Sequence, residues 1–303
     1  MIATPALRLL VTDSGLGGLA VVAELERRAR GSGRYREVDL RFASSLGETG
    51  QGYNKMASTE RKVQVFDAAL AGMLRGAEAD ALLVACNTLS VLIPRSRTLA
   101  SAPLPVFGIV ELGADAIAER LDAEPEAVAA LFATETTLAS GAHRSALLAR
   151  GIAPERILEQ PCPGLASRIE LEGGSEGVIS EIERFVAAAA ERIGARAAPV
   201  VLALCCTHYG YCAAGFAAAA SRHGLVRCEV LDPNRRMADR FFPPDEEGAG
   251  APSRIAIRVV SRALPLAAEI ESTARLLEPL SPATAAALRA YELRRDLFEF
   301  SGL

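Results

Sequence analysis

The sequence predicts an α/β fold with two lobes, each built on a parallel sheet, and a ligand site in the cleft between them. Short apolar runs alternate with helical patterns along the 303 residues. Most of these runs are apolar on both faces, which is typical of strands covered by helices on both sides. Such alternation predicts the α/β class. Nine runs in a chain about twice the length of an average domain favour two sheets over one.

The predicted elements follow one another in a regular order. Strands are predicted at residues 7–12, 38–43, 81–85, 106–110, 127–133, 156–160, 200–204, 228–231 and 255–260. Helices are predicted at residues 19–30, 59–75, 114–121, 140–150, 176–193 and 213–223, and residues 266–298 form one or two more, broken near Pro279 and Pro282. Proline-containing segments at 101–105 and 231–233 are the expected crossings between lobes. We therefore expect residues 1–103 with 233–303 in the first lobe and residues 104–232 in the second.

Composition excludes several classes of function. The chain has 33 Lys and Arg against 37 Asp and Glu, and a net charge of −4 argues against a nucleic-acid partner, because such binders usually carry basic patches. No apolar run reaches the length of a membrane span and no secretory signal is apparent, so we expect a cytoplasmic protein without a membrane partner. The six cysteines are irregularly spaced and only three histidines accompany them, so no metal site is expected.

A glycine-rich turn follows the first predicted strand. Residues 13–18 read Asp-Ser-Gly-Leu-Gly-Gly and lead into a helix. Ligands of open α/β sheets bind beyond the carboxyl ends of the strands, and the N–H groups of a helix N-terminus favour an anionic group. The spacing is not that of a dinucleotide or P-loop fingerprint. The turn is therefore a candidate site for a carboxylate or phosphate, with Asp13 as a simple helix cap the alternative.

Two cysteine motifs follow two further strands. Cys86 precedes Asn87 and Thr88, and residues 205–209 read Cys-Cys-Thr-His-Tyr. A cysteine is by default a small buried hydrophobe, but a helix N-terminus lowers a thiol pKa. Side chains alternate along a strand, so only one of the two adjacent cysteines should face the cleft, and we expect it to be Cys206.

A pair of cleft-facing thiols can do what one thiol cannot. One, as the thiolate, removes a proton from one face of a carbon, and the other delivers a proton to the opposite face. This is a two-base racemisation. A Cys-His nucleophile of the hydrolase type stays an alternative, although no third, orienting residue can be assigned to it.

Five segments together resemble the aspartate/glutamate racemase family, most closely its glutamate-specific members. They occur in the family's order: the turn at residues 13–18, Ala-Cys-Asn-Thr at 85–88, Ala-Thr-Glu-Thr-Thr at 133–137 with Ser-Gly at 140–141, Cys-Pro at 162–163 and Cys-Thr-His-Tyr at 206–209. The chain departs from the family at four places. Residues 52–54 read Gly-Tyr-Asn instead of Pro-Tyr-Gly, Thr136 replaces a glycine, His143 a tyrosine and Gly210 a proline.

The resemblance implies roles for individual residues. Cys86 and Cys206 would be the two acid/base residues, Asp13 and His208 would tune them or relay protons, and Glu170 matches a further family carboxylate. The implied substrate-binding residues are Asp13, Ser14, Tyr53, Asn54, Asn87, Thr88, Thr134, Thr137, Thr207 and His208. Cys162, Cys212 and Cys228 would be structural.

The implied activity is racemisation of L- and D-glutamate without a cofactor, pyridoxal phosphate included, to supply D-glutamate for peptidoglycan. The partner would be a small amino acid, with a homodimer as an option. Because residues 52–54 depart from the family in a substrate loop, aspartate or another amino acid stays an alternative substrate. The same residues would also be compatible with a one-thiol decarboxylase or isomerase, or with a relative that binds an amino acid without catalysis.

Overall fold

The computed structural model describes residues 4–194, 198–244 and 252–301, and within these ranges ten strands form two sheets. In chain order the strands are β1 (Thr4–Asp13), β2 (Tyr35–Ser44), β3 (Ala81–Val84), β4 (Val106–Gly108), β5 (Val128–Ala133), β6 (Ile157–Pro161), β7 (Val200–Leu204), β8 (Cys228–Leu231), β9 (Arg254–Ser261) and β10 (Glu292–Leu293). One sheet has the order β10-β9-β2-β1-β3-β4 and the other β6-β5-β7-β8, and every pair is parallel. The predicted α/β class with two parallel sheets is confirmed.

Helices cover the sheets. The longer ones are α1 (Leu19–Ser32), α2 (Thr59–Leu74), α5 (Ile109–Ala123), α7 (Ala142–Ala149), α8 (Leu165–Glu172), α9 (Glu176–Ile193), α10 (Ala213–Arg222), α12 (Ala267–Leu277) and α13 (Pro282–Arg289). Shorter ones are α3 (Asn87–Ser90), α4 (Arg97–Ala100), α6 (Glu135–Ala139) and α11 (Pro233–Asp239), and 3-10 turns occur at Tyr53–Lys55, Ile93–Arg95, Pro154–Arg156 and Thr207–Cys212. None of the helices in the described ranges has the length and apolar character needed to span a membrane.

The central strands β3, β5 and β7 are buried on both faces, which explains why they are apolar throughout. Along β3, Ala81 and Leu83 belong to one core cluster, while Leu82 and Val84 belong to the cluster on the opposite face. The same alternation holds in the second sheet along β5 and β7. Because successive side chains point to opposite faces, a strand between two helical layers must be apolar at every position.

The fourth strand belongs to the first sheet. Val106 and Gly108 of β4 pair with Leu82 and Val84 of β3, whereas the predicted boundary at residue 104 placed this strand in the second lobe. The crossing is therefore made by α5, which begins directly after β4, and not by the proline segment before it. Strand pairing is a long-range choice that a local proline signal does not reveal. The remainder of the predicted lobe division stays a prediction, and residues 1–3, 195–197, 245–251, 302 and 303 lie outside the described ranges.

The C-terminal segment returns to the first sheet and then reaches the second lobe. After β9, helix α12 packs against α8, and the Ser272 hydroxyl donates a hydrogen bond to the Glu170 carbonyl. Further along, Phe298 enters the core beside α2, and Arg262 donates to its carbonyl oxygen. The predicted break near Pro279 and Pro282 lies between α12 and α13.

Candidate active site

One cavity of about 280 Å³ contains every site residue that the sequence predicted. It lies where the carboxyl ends of β1, β3, β5 and β7 of the two sheets meet. The lining residues include Asp13, Ser14, Tyr53, Asn54, Cys86, Asn87, Thr88, Thr134, Thr137, Glu170, Cys206, Thr207 and His208. The two cysteine motifs, which are 120 residues apart in the chain, therefore face the same space.

Cys86 occupies the N-cap position of the four-residue helix α3 and is 6% exposed. Its Sγ lies 3.1 Å from the Ser14 hydroxyl oxygen. Burial, and after it the negative charge of Asp13, raises the pKa of the thiol. The prediction that the helix N-terminus lowers the pKa of this thiol is therefore wrong, because a single helical turn does not offset the effect of desolvation. At neutral pH Cys86 carries its proton.

Asp13 ends β1 and uses both carboxylate oxygens. Oδ1 accepts the Gly15 N–H at 3.0 Å, and Oδ2 accepts the Thr207 hydroxyl at 2.9 Å. Burial raises the pKa of Asp13, although the charge of His208 works in the opposite direction. The N-cap of α1 is Gly18, with no side-chain cap, so Asp13 does not have the simple capping role considered from the sequence. Instead it links the glycine turn to the second cysteine motif.

Cys206, His208 and Glu170 form a chain of contacts on the other side of the cavity. Cys206 Sγ lies 3.8 Å from His208 Nδ1, and His208 Nε2 lies 2.5 Å from Glu170 Oε2. Burial lowers the pKa of His208, but its hydrogen bonds with Cys206 and Glu170 outweigh this and hold the pKa well above 6.5. Burial alone would raise the pKa of Glu170, but the hydrogen bond and the charge of His208 outweigh burial and lower this pKa. The pair is thus an imidazolium and a carboxylate at neutral pH.

The two adjacent cysteines differ in their surroundings. Cys206 is 8% exposed and packs in the core cluster on one face of the second sheet. Cys205 is fully buried and packs in the cluster on the opposite face, although it also contributes to the cavity wall. Burial raises the pKa of the Cys205 thiol. Cys206 is therefore the accessible thiol of the two.

Polar side chains link the two lobes around the cavity. Thr88 and Thr137 hydroxyls lie 3.1 Å apart, and Thr137 also accepts a hydrogen bond from Thr134 at 3.0 Å. Leu16 donates its N–H to Glu170 Oε2 at 3.1 Å. Tyr53 is almost fully buried, and its hydroxyl donates to the Ser45 carbonyl at 3.2 Å. The Thr88–Thr137 and Leu16–Glu170 hydrogen bonds therefore join the two lobes beside the cavity.

The cavity also contains residues that the sequence did not single out. Glu269 comes from α12, and its Oε2 accepts the Leu266 N–H at 2.8 Å. Lys55 follows Asn54 and donates to the Gly50 carbonyl at 2.8 Å. Lys55 could have been predicted at the cavity from the sequence, because it directly follows the Gly-Tyr-Asn segment. Glu269 could not, because only the packing of the C-terminal segment on α8 brings it to the cavity. Within the described residues, no group of three or more His, Cys, Asp or Glu has a metal-binding arrangement.

Comparison with known proteins gives one consistent result. A glutamate racemase from Aquifex pyrophilus is 28% identical over 205 residues, covering 67% of this chain and 71% of that protein. The structure of a glutamate racemase isoform from Bacillus anthracis has a TM-score of 0.68 at 16% identity and covers 97% of this chain and 99% of its own. That of a glutamate racemase from Francisella tularensis in complex with D-glutamate has a TM-score of 0.68 at 19% identity and covers 95% and 97%.

At these identities the solved structures establish the fold, and the sequence profile establishes the family. The profile described as Asp/Glu/hydantoin racemase matches residues 12–239, which include both cysteine motifs and the glycine turn. The chain therefore belongs to the Asp/Glu/hydantoin racemase family.

Proposed function

We propose that the protein is a glutamate racemase that works without a cofactor, in which one thiol removes the α-proton and a second thiol donates a proton to the opposite face of the α-carbon. The observation that carries this proposal is the pair of thiols in one cavity, each with its own polar partner. Cys86 lies beside Ser14 and is protonated, while Cys206 lies beside the His208–Glu170 ion pair. A site that only bound an amino acid would not need two thiols with different proton partners.

The proposed reaction moves two protons and breaks no other bond. Cys206, as the thiolate beside the imidazolium, removes the α-proton, and the electron pair of the C–H bond passes into the carbanion and its carboxylate. Cys86 then donates its thiol proton to the opposite face of the α-carbon. The product has inverted configuration, Cys206 is a thiol and Cys86 a thiolate, so the next turnover runs in the opposite sense or follows proton exchange with water.

The α-carboxylate must be stabilised while negative charge develops on it. Preorganised donors in a site that excludes water are the usual means. Here the candidates are the Asn87 carboxamide and the Thr88 hydroxyl, which line the cavity beside Cys86. Both residues are nearly buried, at 3% and 5% exposure, so a bound carboxylate would meet them in a desolvated setting. Opening of the lobes would admit the substrate.

Glutamate is favoured as substrate because the similar proteins from Aquifex pyrophilus and Francisella tularensis are glutamate racemases. We further propose that the D-glutamate formed serves peptidoglycan synthesis. The cytoplasm is the proposed location, because two-thiol chemistry requires reduced cysteines and all six cysteines are free. A homodimer is a further proposal, which light scattering on the purified protein would check.

The decisive experiment is incubation with L-glutamate in D₂O without added cofactor, followed by polarimetry and proton NMR. Loss of optical rotation together with deuterium at the α-carbon is expected. Cys86→Ala and Cys206→Ala should each abolish racemisation, whereas Cys228→Ala, a thiol outside the cavity, should leave it intact. Full activity in either of the first two variants would rule out the two-thiol scheme.

The same assay separates the competing functions. Exchange with aspartate and none with glutamate would keep the mechanism and change the substrate. Calorimetric binding of glutamate without exchange or loss of rotation would favour the non-catalytic relative.

A further inference from the structure

His143 makes a contact across the two lobes. It lies on α7 in the second lobe and is 2% exposed. Its Nε2 is 3.0 Å from Oδ1 of Asn87, the residue that follows Cys86 in the first lobe. A carboxamide oxygen can only accept a hydrogen bond, so Nε2 must carry the hydrogen. This contact therefore couples the tautomer of His143 to the orientation of the Asn87 amide.

The second nitrogen of His143 and the amide nitrogen of Asn87 do not take part in this contact. Asn87 Nδ2 and His143 Nδ1 are both buried and have no hydrogen-bond partner among the described residues. A buried polar group without a partner is unfavourable, so such a group invites an explanation. Asn87 lines the cavity and its oxygen is taken by His143, so its N–H donors are the atoms left for an anionic ligand.

The environment keeps His143 neutral. Burial lowers the pKa of His143 to about 4. At neutral pH the ring therefore has one N–H donor, and this donor points at Asn87. Thr88, the next residue, has its own link to Thr137 of the second lobe, so the two neighbours are held independently.

We propose that His143 is a positioning residue: its Nε2–H holds the Asn87 carboxamide oxygen away from the cavity, so that both amide hydrogens are available to a carboxylate of the substrate. An amide turned through 180° would present its oxygen to that carboxylate and repel it. This inference rests on the proposed function for the identity of the ligand. The hydrogen bond between His143 and Asn87 does not depend on the proposed function.

The first test is the tautomer of His143, measured by NMR on protein labelled with nitrogen-15 in histidine. The chain has three histidines, at 143, 208 and 223, so a His143→Gln spectrum assigns the signals. A neutral ring protonated on Nε2 at pH 7 is expected. A ring protonated on Nδ1, or on both nitrogens, would overturn the proposal even if the protein proves to have no racemase activity.

The second test is a double-mutant cycle. His143→Phe keeps a ring but loses the donor, and kcat/KM for glutamate should fall about tenfold, the effect of one hydrogen bond of about 1.4 kcal/mol. His143→Gln places an N–H near the same point and should recover most of this loss. His223→Phe, which removes a histidine paired with Glu183 far from the cavity, is the matched control and should behave as wild type.

If His143 acts through Asn87, His143→Phe should have no further effect in an Asn87→Ala background. Independent, additive losses, or no recovery with glutamine, would show that His143 serves packing only. Absence of racemisation in the wild type would instead count against the proposed function, and the cycle would then be measured on glutamate binding by calorimetry. Should the phenylalanine variant fail to fold, the glutamine variant and the tautomer still decide.

Discussion

Replacing Glu170 with glutamine tests whether the ion pair drives the chemistry at Cys206. Glu170 Oε2 accepts hydrogen bonds from His208 Nε2 at 2.5 Å and from the Leu16 N–H at 3.1 Å. Glutamine has nearly the same shape, so it keeps one acceptor but loses the charge. His208 then loses the carboxylate whose hydrogen bond and charge raise its pKa, while burial, the largest influence on that pKa, still lowers it. We expect the imidazole of the variant to be neutral at pH 7.

The expected loss in kcat/KM is about a hundredfold. A hydrogen bond to a charged group contributes about 1.5–3 kcal/mol, which corresponds to about 10- to 150-fold. Loss of a general acid or base has a similar or larger effect, about 10²–10⁴-fold. Because lower pH restores the imidazolium, the residual activity of the variant should peak at a more acidic pH than that of the wild type.

The assay is the initial rate of racemisation from each enantiomer between pH 5 and 9. The enantiomers have equal free energies, so the equilibrium constant is 1 and kcat/KM must fall equally in both directions, which provides an internal check. Glu172→Gln is the matched control, since Glu172 lies on the same helix but pairs with Arg168 at the surface. Wild-type activity and an unchanged pH profile in Glu170→Gln would refute the role assigned to the ion pair.

Substitutions at two other points of the site, and a second measurement on Glu170→Gln, have expected outcomes of their own. Gly17→Ala should abolish activity, because its Cβ would lie 2.6 Å from His208 Nδ1, whereas Gly31→Ala, with nothing within 4 Å, should stay active. Glu269→Gln should lower KM for glutamate, most clearly at low salt, because a negative charge leaves the cavity wall; a raised KM would contradict this. In chemical denaturation, the stability lost in Glu170→Gln should be greatest between the ordinary pKa values of glutamate and histidine, 4.5 and 6.5, and should vanish as the pH falls through the lowered pKa of Glu170 or rises through the raised pKa of His208.

Local patterns in the sequence were enough to predict most of the fold. Nine predicted strands correspond to β1–β9, because each is a short run rich in apolar residues. β10 was missed, since Glu292 and Leu293 are both exposed and carry no apolar pattern. Helix α8, with Glu170, was also missed as a helix. Its eight residues are too few to show a clear helical period.

The sequence by itself determined the class of fold, the two cysteine motifs and the glycine turn. These features can be read from local sequence. Polar residues that directly follow an apolar strand lie at the ligand-binding edge of a parallel sheet, whatever else packs against that sheet. Only the tertiary structure decided the protonation of Cys86 and the ion pair of His208 with Glu170. It also placed Glu269 in the cavity wall and His143 against Asn87. Burial and charge pairing depend on residues far apart in the chain, so no local pattern contains them.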